Sequence, residues 1–170
     1  MYPPKIYTNK VTGMVFQNLF GQLGPEKNVT GHYTAGPRDD SDAMAIRLLR
    51  QYHVDHKAKG WGGLGYHFCI TKKGNIILGR PVVLKGAHVG GHNTENLGIV
   101  MHGTTGDKPT AAQRRALKWL LANAHTTKMP STHRTDRDLR KAHRFGHNSW
   151  SGHTTNGCPG SFKPMYLKGA

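Results

Sequence analysis

Gly146-His147-Asn148-Ser149-Trp150, followed by Asn156-Gly157-Cys158-Pro159-Gly160, is the stretch on which the reading of this chain turns. A histidine and a cysteine eleven positions apart, set among turn formers, are spaced to reach one metal ion. A third donor stands far upstream in Val29-Thr30-Gly31-His32, at the end of an apolar run. Two imidazoles and one thiolate around Zn²⁺ leave a fourth position open for water, which marks a catalytic rather than a structural site. Alone, the pair is a thin signal, because 12 histidines bring some close to a cysteine by chance.

Upstream of that stretch the chain reads as alternating strands and helices. Asn28 to Ala35 is a core strand containing His32, and Ser41 can cap a helix running to about His56 with Ala45, Ile46, Leu48, Leu49 and Tyr52 on one face. Gly65 to Thr71, a turn at Lys72-Lys73-Gly74-Asn75, and Ile76 to Gly79 read as a hairpin. Asn96 to Gly103 is a further apolar strand. Thr110 with Gln113 forms a capping box that opens a helix to about His125. Thr126 to Arg144 is basic and fits neither period. Strands interleaved with two good helices imply an α/β fold: a single domain with a central, mostly mixed β-sheet flanked by helices, and the zinc site at one edge of the sheet. Residues 1–26, weak in periodicity, read as an N-terminal extension packed on a domain of residues 27–170.

Length and composition suit that picture. A chain of 170 residues can bury a core without staples, and only Cys69 and Cys158 are present, so no disulfide framework is expected. Cys69, inside the apolar run Tyr66-His67-Phe68-Cys69-Ile70, reads as a buried thiol. Met1-Tyr2-Pro3-Pro4-Lys5-Ile6 shows no signal-peptide pattern and no apolar run is long enough to span a membrane, so synthesis in the cytoplasm is expected. Lysine and arginine total 24 against 9 acidic residues, a formal charge of +15. Such a surface attracts polyanions, whether nucleic acid, anionic lipid, lipopolysaccharide or a teichoic-acid-bearing wall.

With the elements in this order, the chain resembles the type 2 N-acetylmuramoyl-L-alanine amidases, the family of small phage endolysins and animal peptidoglycan recognition proteins. The matching pieces run from His32 after a strand, through Gly60-Trp61 and Gly65-Tyr66-His67-Phe68, to Lys73-Gly74 and Gly79-Arg80. Ala87-His88-Val89, His92-Asn93, Leu97-Gly98-Ile99, Gly146-His147-x-x-Trp150 and Cys158-Pro159-Gly160 follow. The resemblance implies Zn²⁺ held by His32, His147 and Cys158, with Tyr66 beside it to hydrogen-bond the attacking water or the forming oxyanion. Two positions before the ligand cysteine, relatives often carry Lys or Thr to stabilise the tetrahedral intermediate; here that position is Asn156, with His153 a rival for the role. The implied activity is cleavage of the amide between N-acetylmuramic acid and the L-alanine of the stem peptide. The implied partners are peptidoglycan and an anionic cell envelope, with no specific nucleic acid, for a monomer that reaches the wall once the membrane has been opened, as a phage endolysin does.

Alternatives stay open at this level. His143, followed by Arg144, competes with His147 as ligand, and His133 is a weaker third candidate. His88 and His92 are either groove residues or surface loop histidines. His67 points away from Tyr66 on a strand and reads as structural. His53, His56, His102 and His125 read as surface or helix-end residues. Trp119 reads as core, and Trp61 and Trp150 as loop residues with a possible sugar-stacking role. A basic nucleic-acid-binding protein or metal nuclease is the rival function, suggested by the charge and by His147-Asn148 followed by His153; the nine acids do not cluster near that run, as a hard cation would require. A peptidoglycan-binding module without catalysis is the third, and the presence of Cys158 weighs against it.

Overall fold

The computed structural model describes residues 3–168; Met1, Tyr2 and residues 169–170, at the ends of the two expected segments, lie outside the described residues. In chain order the elements are β1 (Ile6–Tyr7), α1 (Asn9–Thr12), β2 (Asn28–Tyr33), α2 (Asp42–Ala58), β3 (Phe68–Ile70), β4 (Ile76–Leu78), β5 (Asn96–Met101), α3 (Ala111–Asn123), β6 (His143–Gly146) and α4 (Lys163–Lys168). The strands form one mixed sheet in the order β1-β4-β3-β5-β2-β6. Among these described strands, the β3–β4 hairpin is antiparallel and the other pairs are parallel. β5 is buried at all six positions, the continuous apolar pattern of a parallel strand covered on both faces.

Alternation along the strands sends successive side chains to opposite faces and divides the core in two. Phe68, Ile70, Ile99 and Met101 pack with Leu117, Leu120 and Leu121 of α3 and with Met165 and Tyr166 of α4. Cys69, Ile77 and Val100 pack with Ala45 and Leu49 of α2. The caps read from sequence are in place. The Ser41 hydroxyl accepts from the Met44 N–H, and Thr110 and Gln113 form a reciprocal capping box. Trp119 and Cys69 lie in the core as expected.

Three features depart from the sequence reading. The unassigned basic segment contains two short 3₁₀ turns, Ser131–His133 and Leu139–Lys141, and then β6, which pairs in parallel with β2. An edge strand that carries His143 and Arg144 lacks the apolar run that identifies an inner strand; charge on an edge also discourages pairing with another chain. Within residues 3–26, β1 adds a strand beside β4, and Leu23 is fully buried. His102 and His53 are not surface residues: His102 is fully buried against Asp39, and His53, buried on α2, accepts the Leu64 N–H.

Gly31 shows how backbone shape sets up the site. A Cβ built there would lie 2.2 Å from the Tyr166 ring, whose hydroxyl donates to the His32 carbonyl at 2.8 Å. The strand before His32 is thus pressed flat against α4. Gly31→Ala is expected to destabilise the protein by about 1–3 kcal/mol through overpacking, read as a lower denaturant midpoint.

His133 predicts a pH dependence. It is fully buried, donates to the Gly79 carbonyl, and burial pushes its pKa down to about 4. The unfolded chain therefore binds a proton between about pH 6.5 and 4 that the folded chain refuses, so stability must fall as pH falls through that window. His133 alone accounts for up to about 3 kcal/mol of this loss. Urea unfolding at pH 7 and pH 5 tests it, and equal stabilities would rule it out.

Candidate metal centre

Ligands bind at the carboxyl ends of strands in sheets of this kind, because there the loops diverge and leave a crevice. His32 is the penultimate residue of β2, and His147 follows directly on the last residue of β6. Since Gly146 is paired with Gly31, the two strands deliver both imidazoles to the same end of the sheet. Cys158 returns to them on the loop after His147, and its carbonyl accepts from the Asn148 N–H at 3.0 Å. The ligand-type atoms of His32, His147 and Cys158 lie within 4.8 Å of one another, and among the described residues this is the one such group.

The donor set fits zinc. Cys158 Sγ lies 3.6 Å from His32 Nδ1. Donors on a tetrahedron with Zn–S of ~2.3 Å and Zn–N of ~2.0 Å lie about 3.5 Å apart. Burial, reinforced by His88 and His147, holds His32 well below the ordinary histidine pKa, and burial with His153 lowers His147. Both rings are therefore neutral at pH 7, as ligation requires. Burial pushes the Cys158 thiol up to about 11; a bound cation would reverse that balance and take the sulfur as thiolate.

Each candidate ligand histidine is backed by a second histidine. His32 Nε2 meets His88 Nδ1 at 3.0 Å, and His88 Nε2 donates to the Asn96 carbonyl at 2.9 Å. His147 Nε2 meets His153 Nδ1 at 3.1 Å, and His153 Nε2 donates to the Gly90 carbonyl at 2.9 Å. Neither relay ends on a carboxylate. His88 is only 7% exposed, and a Cβ at Gly98 or Gly86 would come within 2.8 Å or 2.6 Å of its ring. This relay was not legible in the sequence beyond the His88 motif itself.

A groove of about 610 Å³ reaches the cluster at His147 and is walled by Phe20, Trp61, Tyr66, Lys85, His88, Asn93, His153 and Asn156 as well. The Tyr66 ring lies 4.9 Å from that of His32. Burial, and then the neighbouring Cys158 sulfur, push its phenol well above the ordinary range, so Tyr66 remains a donor. Asn156 uses its side-chain oxygen to accept the Cys158 N–H at 2.8 Å, which leaves its NH₂ as the free polar end. The groove walls are held from behind by Arg80, 1% exposed, whose guanidinium donates to the carbonyls of Trp61, Gly63, Leu64 and Lys85. Four carbonyl dipoles substitute for water around that buried charge.

The remaining candidates fall elsewhere. His143 pairs in register with Asn28 at the opposite end of β6, three residues or about 10 Å from Gly146. It lines a separate cavity with Glu26, Lys27 and Lys141. His133 is tied to Gly79, and His67 bridges the Leu84 carbonyl and the Gly98 N–H as a structural residue. His92 stacks on Trp150, whose indole N–H donates to Thr30, so Trp150 is braced between strands rather than open to a sugar. Trp61 does face the groove.

The family profile described as N-acetylmuramoyl-L-alanine amidase matches residues 22–161. The chain is 34% identical over 87 residues to the endolysin of Escherichia phage T7, covering 48% of this chain and 56% of that protein. It is 36% identical over 97 residues to peptidoglycan-recognition protein SC2 of Drosophila melanogaster, covering 55% and 52%. It thus spans about half the length of these curated relatives. The solved structure of Drosophila PGRP-LB superposes with a TM-score of 0.76 at 23% identity, over 93% of this chain and 89% of that one, a likeness of fold. A mixed α/β domain with a His, His and Cys cluster at the strand ends, matched by the profile over most of its length, belongs to the N-acetylmuramoyl-L-alanine amidase family.

Proposed function

We propose that this chain is a zinc-dependent peptidoglycan hydrolase that cuts the amide between N-acetylmuramic acid and the L-alanine of the stem peptide, in the manner of a phage endolysin. The observation that carries the reading is the convergence of His32, His147 and Cys158 beside a groove that His147 and Tyr66 both line. A cysteine in that set supports catalysis over simple binding, and the lack of a carboxylate in it counts against a nuclease using a hard cation.

An amide is a weak electrophile with a poor leaving group, so hydrolysis needs an activated water and a stabilised oxyanion. When bound, zinc supplies the first at neutral pH and polarises the carbonyl as a Lewis acid. His32 and His147 would hold it as neutral donors and Cys158 as the anionic one. Tyr66 keeps its proton and donates to the oxyanion as charge develops there. Asn156 supports the same charge through its free NH₂, because both ring nitrogens of His153 are already engaged. Incubation with purified peptidoglycan is expected to release free stem peptides; a chelator stops the release and added zinc restores it. Cleavage between sugars, or release that ignores chelation, would overturn the assignment.

No helix among the described residues is long and apolar enough to cross a membrane. The +15 charge supports a role in concentrating the protein on an anionic envelope. Raising salt from 0.1 M to 1 M shortens the Debye length from ~10 Å to ~3 Å. Lysis of intact envelopes is expected to fall steeply over that range while cleavage of a soluble muropeptide changes little. Equal responses would move the effect of charge into the active site.

A further inference from the structure

We propose that His153 is a positioning residue of the metal centre, which fixes the tautomer of His147 and latches the ligand-bearing loop to the loop that carries His88. The inference rests on the metal-site reading above but concerns a residue outside the ligand set.

The tautomers follow from the heavy atoms alone. A carbonyl oxygen only accepts, so His153, 2.9 Å from the Gly90 oxygen through Nε2, must carry its proton there. In the neutral imidazole Nδ1 is then a bare lone pair, and His147 Nε2, 3.1 Å away, must supply the proton between them. That leaves Nδ1 of His147 as the lone pair free for a metal. The His32–His88–Asn96 relay imposes the same choice on His32, whose Nδ1 is the atom facing Cys158 Sγ. Two separate relays thus leave the same ring nitrogen, Nδ1, without a proton on both histidines of the His32, His147 and Cys158 group.

The two relays differ in how they are built. His88 is packed between Gly86 and Gly98 and is part of the folded interior. His153 sits on a turn between His147 and Cys158, and its ring reaches across to the 88–96 loop. His92 makes the reciprocal crossing, donating to the Ser151 carbonyl at 3.0 Å. The segment that carries two of the three ligands is therefore tied to the other wall of the groove by two histidines. Outer partners that orient a ligand histidine commonly change metal affinity about 10–100-fold when removed. A carboxylate in that position would lower the net charge of the centre. A neutral imidazole orients the ligand and leaves a zinc–thiolate site at net +1, the stronger Lewis acid.

The test compares zinc affinity of the full chain and its His153→Leu and His153→Gln variants by competition with a chromophoric chelator. Leucine fills the space without hydrogen bonds, whereas the glutamine amide offers an acceptor and a donor at a similar separation. His153→Leu is expected to bind zinc about 10–100-fold more weakly, and His153→Gln to stay within about threefold of the unmodified chain on the same principle. Nitrogen-15 spectra of the zinc-loaded protein should show His147 protonated at Nε2. Equal weakening in both variants would make His153 a packing residue, unchanged affinity in both would remove it from the site, and a His147 protonated at Nδ1 would refute the relay. If the unmodified chain itself binds no zinc, the metal site fails and the proposal falls with it.

Discussion

Cys158→Ser is expected to lose zinc and hydrolysis together. The hydroxyl that replaces the sulfur is a hard, weakly acidic donor where the site needs a soft thiolate, and only two neutral imidazoles remain. Metal assistance is worth several kcal/mol of transition-state stabilisation, so activity should drop by at least about 10³-fold. The fold should survive, because Cys158 lies on a half-buried loop outside both core clusters. Cys69→Ser supplies the contrast. That thiol is fully buried beside Val100 and Ile77, so placing a hydroxyl there should cost about 1–3 kcal/mol of stability and leave the zinc content untouched. Metal analysis and unfolding curves on both variants separate the two roles. Full zinc content in Cys158→Ser would remove it as a ligand.

Tyr66→Phe is the second large effect. The substitution deletes one oxygen from the groove wall and keeps the ring against His32, so zinc should remain bound. Loss of one oxyanion donor typically removes 2.7–4 kcal/mol, about 10²–10³-fold in kcat. The decrease should appear in kcat and kcat/KM alike, as for a contact made only in the transition state. A rise in KM alone would assign Tyr66 to substrate contact in the groove wall, and an unchanged rate would make it a packing residue.

The local signals were strong wherever one physical requirement dominates. Ser41 and the Thr110–Gln113 pair cap their helices because the first-turn N–H groups need partners within a few residues. The β3–β4 hairpin follows from a Lys-Lys-Gly-Asn turn between two apolar runs, and β5 from an unbroken apolar run. β6 escaped because an edge strand with a polar outer face has little pattern of its own; its pairing with β2 makes it a strand.

The sequence by itself determined the family, the sheet with its two flanking helices, and the donor types of the candidate site. Those depend on residue identity and spacing, which the chain carries in one dimension. Only the tertiary structure separated His143 from His147, since four residues along a strand carry a side chain more than 10 Å from the shared strand end. It also showed that His153 has no free nitrogen while Asn156 keeps a donor, and that His88 and Arg80 brace the site from behind. Those are hydrogen-bond facts, and a hydrogen bond depends on a contact of about 3 Å between groups that can be dozens of residues apart.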